Sequence, residues 1–130
     1  MRKIVVISAL IGSFVTLIQN SDATEKITAQ RIDCNKATTT VELKYCSQLS
    51  YQQADKALNQ VYRKVISGIS GEQKSLLISG EQAWIKFRDD NCSFETYGSR
   101  DGTGYTIFYN GCLERLTKQR TKDLQNYLSR

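Results

Sequence analysis

Apolar and small residues recur at helical spacing in three stretches of this chain. In the first, Ala54, Leu58, Val61 and Val65 fall three or four positions apart, with Ala57 and Tyr62 beside them. That spacing puts them on one face of a helix. Its start is marked by Thr39-Thr40-Val41-Glu42, an S/T-x-x-E capping box in which hydroxyl and carboxylate take up free backbone N–H groups. Gly68 and Gly71 bracket the stop. The second stripe is Leu76, Leu77, Gly80, Ala83, Trp84 and Phe87, behind Ser70-Gly71-Glu72-Gln73, where Gln fills the last place of the same box. Gly80 costs about 1 kcal/mol relative to Ala in a helix, and lets another helix come close. The third stripe is Cys112, Leu113, Leu116, Leu124 and Tyr127, on a helix that begins between Tyr105 and Asn110.

Residues 24–38 read as an irregular arm, and residues 93–111, with Gly98, Gly102 and Gly104, as a long loop. The short link between the first two helices implies an antiparallel pair, with the third returning against both. The fold expected is all-α: a small antiparallel bundle of about three main helices with a long loop between the second and third. The absence of Pro from all 130 residues agrees with this.

The N-terminus changes the picture of where the chain works. Arg2 and Lys3 precede an uncharged apolar run from Ile4 to Ile18, and Ser21-Asp22-Ala23 puts small residues at the −3 and −1 positions of a cut. This is a secretory signal pattern over residues 1–23, and its uncharged run is shorter than the ~20 residues of a spanning helix. The mature domain expected is residues 24–130, with no stable membrane span. It is large enough for a modest core. Its location would be periplasmic or secreted.

Export bears on the cysteines. Cys34, Cys46, Cys92 and Cys112 are separated by 12, 46 and 20 residues. An even count in a small exported domain reads as two disulfides. The close C-x-x-C pairs of a four-thiolate zinc site are missing. Short loops close at lower entropic cost, which favours Cys34–Cys46 and Cys92–Cys112 over the other two pairings.

The formal net charge is +5, and loss of residues 1–23 removes two positive charges and one negative, leaving +4. A mild positive charge permits attraction to anionic wall polymers. Basic residues interspersed with acids do not describe a nucleic-acid surface.

Catalytic machinery is hard to assemble. There is no His, the commonest general base and neutral metal ligand. Paired cysteines leave no thiol nucleophile. Asp89 and Asp90 are consecutive, about 100° apart on a helix, and would not face one atom together. No catalytic residue, metal or cofactor is expected; a weak hydrolase built on Asp55 or Glu81 would need two carboxylates facing each other in a deep pocket. Two other groups stand out. Asp55, Asn59, Trp84, Arg88 and Arg120 would form a polar cluster between helices, with the Arg88 guanidinium on the indole or paired to Asp55. Such a network positions helices more than it stabilises them. In the loop, where Phe108 also falls, Tyr97, Arg100, Tyr105 and Tyr109 are the types favoured at protein interfaces, and a loop anchored by a disulfide is a suitable place to meet a partner.

Taken together, Cys34 and Cys46, Ala54-Asp55-x-x-Leu58-Asn59-x-x-Tyr62, Ala83-Trp84-Ile85-x-Phe87-Arg88-Asp89-x-x-Cys92, and Cys112 with Arg120 and Leu124 resemble the LprI N-terminal family, formerly a domain of unknown function. The resemblance covers nearly all of the mature chain. It implies an exported, disulfide-bonded helical domain that is not an enzyme, and inhibition of lysozyme-type muramidases. The chain lacks the lipoprotein cysteine of the mycobacterial inhibitor in that family. Arg100 could reach the carboxylates of a glycosidase cleft. The other reading is an envelope adaptor or sensor that binds an anionic wall polymer or another exported protein.

Overall fold

The computed structural model describes residues 32–130; the expected signal segment, residues 1–23, lies outside them. Three helices follow one another: α1 (Thr40–Ser67), α2 (Gly71–Glu95) and α3 (Tyr105–Leu128), with a short 3-10 turn at Tyr97–Ser99. Among the described residues there is no strand, and no helix is long and apolar enough to cross a membrane. The bundle is all-α, as expected.

The capping box at the head of α1 is complete. Thr39 Oγ1 accepts from the Glu42 N–H at 3.3 Å, and Glu42 Oε2 accepts from the backbone N–H groups of Thr39 and Thr38 at 3.0 and 3.1 Å. These bonds hold the Glu42 carboxyl below its ordinary pKa, the Thr39 backbone bond contributing most. The box expected at the head of α2 is not formed. Ser70 is the N-cap but its hydroxyl caps nothing, and Gln73 instead donates Nε2 to the Tyr127 hydroxyl at 2.8 Å. Between the helices Gly71 takes φ +57°, a left-handed conformation that favours glycine.

The first stripe is buried as expected: Ala54, Leu58, Val61 and Val65 all face inward, although Ala57 is exposed. On α3 the inward face is Asn110, Cys112, Leu113, Thr117, Thr121 and Leu124. Leu116 is half-buried and Tyr127 is exposed. The closest helix pair is α1 with α3. These two run parallel: Ser47 meets Asn110 near both starts, and Leu58, Val61 and Val65 cluster with Leu124 near both ends. Ala54 and Thr117, both small, occupy the middle of their buried faces, where bulk would hold the helices apart.

α2 runs antiparallel to both; Leu77 and Trp84 of its expected stripe pack on the core, but the rest of that stripe faces out. Leu76 and Phe87 are exposed, at 63% and 58%, and so are Gly80 and Ala83. The inward positions are Leu77, Glu81, Trp84, Arg88 and Cys92. This face is offset by roughly 100°, one residue's turn. The cause is the Cys92–Cys112 disulfide. It points Cys92 at α3, and every residue three or four positions back along α2 must then point the same way. The other bridge joins Cys34 to Cys46 and ties the arm to α1. Both are the favoured pairings. All four sulfurs are oxidised, so the four-thiolate zinc site considered above is not formed.

Candidate functional site

Two places hold the residues singled out above. The first is the seam between α2 and its neighbours. Arg88 is its centre. Although charged, it is only 6% exposed. Its guanidinium lies 5.3 Å from the Trp84 ring and 5.5 Å from that of Tyr51, distances at which a cation is attracted to an aromatic face. Its Nε donates to Asp89 Oδ1 at 2.9 Å, and one terminal nitrogen forms an ion pair with the same oxygen at 2.8 Å. The other terminal nitrogen donates to Thr117 Oγ1 at 3.5 Å and lies 4.0 Å from Asp55 Oδ1. Burial pushes the pKa of the Tyr51 hydroxyl up, with the Arg88 charge working against it.

Asp55 and Asn59, one turn apart on α1, bond to each other: Asn59 Nδ2 donates to the Asp55 carbonyl and to its Oδ2, each at 2.9 Å. Arg120 enters the cluster from α3, with its guanidinium 5.9 Å from the Trp84 ring. Its polar partner is Glu81, at 2.9 and 2.8 Å, rather than Asp55 or Asn59. The structure thus brings Asp55, Asn59, Trp84, Arg88 and Arg120 together, and adds Glu81, Tyr51 and Thr117. Counting back from Cys92 in steps of four and three would have found Glu81, since it shares a face with Arg88. Nothing in the sequence marked Tyr51 or Thr117.

A groove of about 270 Å³ opens beside this layer, between α1 and α2. Leu58, Tyr62, Trp84 and the exposed Ile78 and Ile85 supply its apolar surface, and Asp55, Asn59, Glu81, Gln82 and Arg88 its polar groups. Asp55 and Glu81 both line it, each already bonded to a neighbouring side chain.

The second place is the end where α2 passes to α3. The long loop expected over residues 93–111 is shorter. Ser93–Glu95 belong to α2 and Tyr105–Gly111 to α3, which leaves residues 96–104, part of them in the 3-10 turn. Of the four residues assigned to a contact loop, only Tyr97 and Arg100 lie on it. Tyr105 and Tyr109 are one turn apart on α3, half-buried, with ring centroids 5.7 Å apart, and Tyr109 packs on the Cys92–Cys112 core. Their i, i+4 spacing lets the two rings shelter each other on the helix, a small stabilising contact. The exposed aromatic groups at this end are Phe94, Tyr97 and Phe108, at 83%, 63% and 58%. The Arg100 guanidinium lies 4.0 Å from the Tyr97 ring, with its Nε 3.5 Å from Asp101. Phe94 had no place in the sequence-based site, while Phe108, grouped there with the loop tyrosines, stands exposed on α3. Glu95 is bonded to Arg115 at 2.6 Å across the α2–α3 seam. Together with the neighbouring disulfide this fixes both ends of the turn.

A protein-family model described as "Lysozyme inhibitor LprI" matches residues 34–124. The chain belongs to the LprI family. The match runs from the first cysteine of the domain to the last buried leucine of α3, so it contains every residue of both places above. The LprI description names inhibition and no reaction. A relative in Rhizobium meliloti (strain 1021), the uncharacterized protein R02472, is 30% identical over 109 residues, spanning 74% of this chain and 78% of its own. A crystal structure of a DUF1311 family protein (PP0307) from Pseudomonas putida KT2440 superposes with a TM-score of 0.62 at 22% identity, covering 72% of this chain and 95% of that one. That likeness concerns the fold.

Proposed function

We propose that this LprI-family chain is an exported cell-envelope protein that binds lysozyme-type muramidases and blocks their cleft. The observation that carries the reading is the exposed aromatic end: Phe94, Tyr97 and Phe108 stand in solvent, with Arg100 laid on Tyr97, beside a disulfide and an ion pair that hold the turn. Exposed aromatic and Arg side chains are the anchors of protein interfaces, and a turn already held in shape loses little entropy on binding. The Arg100 guanidinium, laid on Tyr97, is a cation placed to meet the paired carboxylates of a glycosidase cleft. The two disulfides agree with an oxidising compartment, periplasmic or secreted.

The test is digestion of purified cell walls by lysozymes of several types, with and without residues 24–130. The expected result is slower digestion at micromolar inhibitor. Unslowed digestion at high micromolar concentration, against every lysozyme tried, rejects the reading. The net positive charge supports a second reading, an adaptor that binds an anionic wall polymer. Retention on peptidoglycan that fades with added salt, with lysozyme unimpaired, would favour it.

A further inference from the structure

The two runs that carry the family resemblance lie on different helices, yet they meet. Asp55, Asn59 and Tyr62 from α1 and Trp84 and Arg88 from α2 all line the groove of about 270 Å³. None of them takes part in the aromatic end, so the inhibitory surface leaves this concave site without a role.

Its polar groups retain hydrogen-bonding capacity. Asn59 uses its N–H₂ on Asp55, which leaves its carbonyl oxygen facing outward as an acceptor. The Asp55 Oδ1 atom is 4.0 Å from Arg88, beyond hydrogen-bond distance. Gln82, exposed on the rim, offers both a donor and an acceptor. Charge does not favour an ion. The Glu81 carboxylate is paired with Arg120, and Arg88 is shared between Asp89 and Asp55, so the lining holds at most one unmatched negative charge and disfavours an anion. Between these groups the surface is apolar, from Ile78, Ile85 and the indole of Trp84.

Donors and acceptors interleaved with apolar surface suit a ligand whose hydroxyls donate and accept at once and whose ring faces are C–H. We infer that the groove binds a neutral saccharide. Ligand pockets usually measure about 300–1,000 Å³, so this groove, at about 270 Å³ just below that range, takes one or two sugar rings. Asp55 and Asn59 accept from ring hydroxyls, Gln82 does both, and Ile78 and Ile85 cover the ring face.

Trp84 is the chain's only tryptophan and lines this groove, so its emission reports on changes there. Residues 24–130 are titrated, without lysozyme, with uncharged oligomers of N-acetylglucosamine and of glucose, and with oligogalacturonate as the charged control. The expected result is a saturable change with at least one neutral series, half-complete at ~1 mM or below, the weak end of specific binding. Gln82→Ala and Asp55→Asn should each weaken it about tenfold; circular dichroism checks that both remain helical. Gln82 is exposed, and Asn keeps the shape of Asp55, so neither change removes core packing. Silence with both neutral series overturns the inference. So does a response to the charged oligomer alone, or one that neither substitution weakens. The inference does not rest on muramidase inhibition: Gln82→Ala should inhibit lysozyme as the unaltered protein does, and failure of either assay leaves the other standing.

Discussion

α1 and α2 have similar lengths, 28 and 25 residues, but they enter the bundle by different physics. α1 buries Ala54, Leu58, Val61 and Val65 and packs closely along α3. Its stability comes from apolar area removed from water. α2 buries Glu81, Arg88 and Cys92, keeps Leu76 and Phe87 in solvent, and is joined to its neighbours by an ion pair, ring contacts and a disulfide. A covalent bond that fixes the rotation of a helix can therefore override its most apolar face. The burial of Arg88 is tolerable because its charge is met by Asp89, Asp55 and two aromatic faces.

This contrast can be broken first at the α1–α3 core. Leu58→Ala should cost about 3 kcal/mol, a cavity effect of the usual size for a buried leucine, read as a lower urea midpoint with unchanged slope. Arg88→Ala should cost less, about 2 kcal/mol, because the ring contacts and packing are lost while Asp55 and Asp89, both partly exposed, can turn to water. Arg88→Met, which restores the stem without the charge, should recover roughly half of that. If Arg88→Ala cost more than Leu58→Ala, the polar layer rather than the apolar core would be the main support of the bundle.

Thr39→Ala should cost about 1 kcal/mol through loss of the cap. It also supplies a pH test. Glu42 has a lowered carboxyl pKa in the folded state. Its contribution is therefore present above its unfolded value, near 4.5, and lost as pH falls through the folded one. Melting temperature against pH should fall less steeply below that value in Glu42→Gln, and only slightly less steeply in Thr39→Ala, which keeps the two backbone N–H bonds that lower the pKa most. The smallest effect belongs to the exposed stripe. Leu76→Ala and Phe87→Ala should each change stability by no more than about 0.5 kcal/mol, as surface positions do. A loss like that of Leu58→Ala would mean that this face is covered.

The same contrast explains what could be read in the sequence. The α1 stripe, the Thr39 box, three helices and both disulfides were legible because local spacing determines them. The α2 face was misread because Leu76, Gly80, Ala83 and Phe87 outscore Glu81 and Arg88 in hydrophobicity, while the constraint that wins is set by Cys112, twenty residues beyond Cys92. The polar cluster could be named because Asp55–Asn59 and Trp84–Arg88 each sit one turn apart. The partner of Arg120 could not, since it depends on how α2 is rotated. At the aromatic end, three glycines suggested a longer loop than the one that forms. Tyr105 and Tyr109 are drawn into α3 by their mutual packing, while Phe94 and Phe108 are left outside.

Under the proposed function, inhibition belongs to that end and not to the exposed stripe of α2. The direct test is the rate of cell-wall digestion by lysozyme in the presence of the Tyr97→Ala/Arg100→Ala double variant, beside the unaltered domain and Leu76→Ala/Phe87→Ala. The first should lose at least about tenfold in inhibitory strength, the order expected for two interface anchors, with its melting temperature unchanged, and the stripe variant should inhibit normally. Equal inhibition by all three proteins would contradict this assignment.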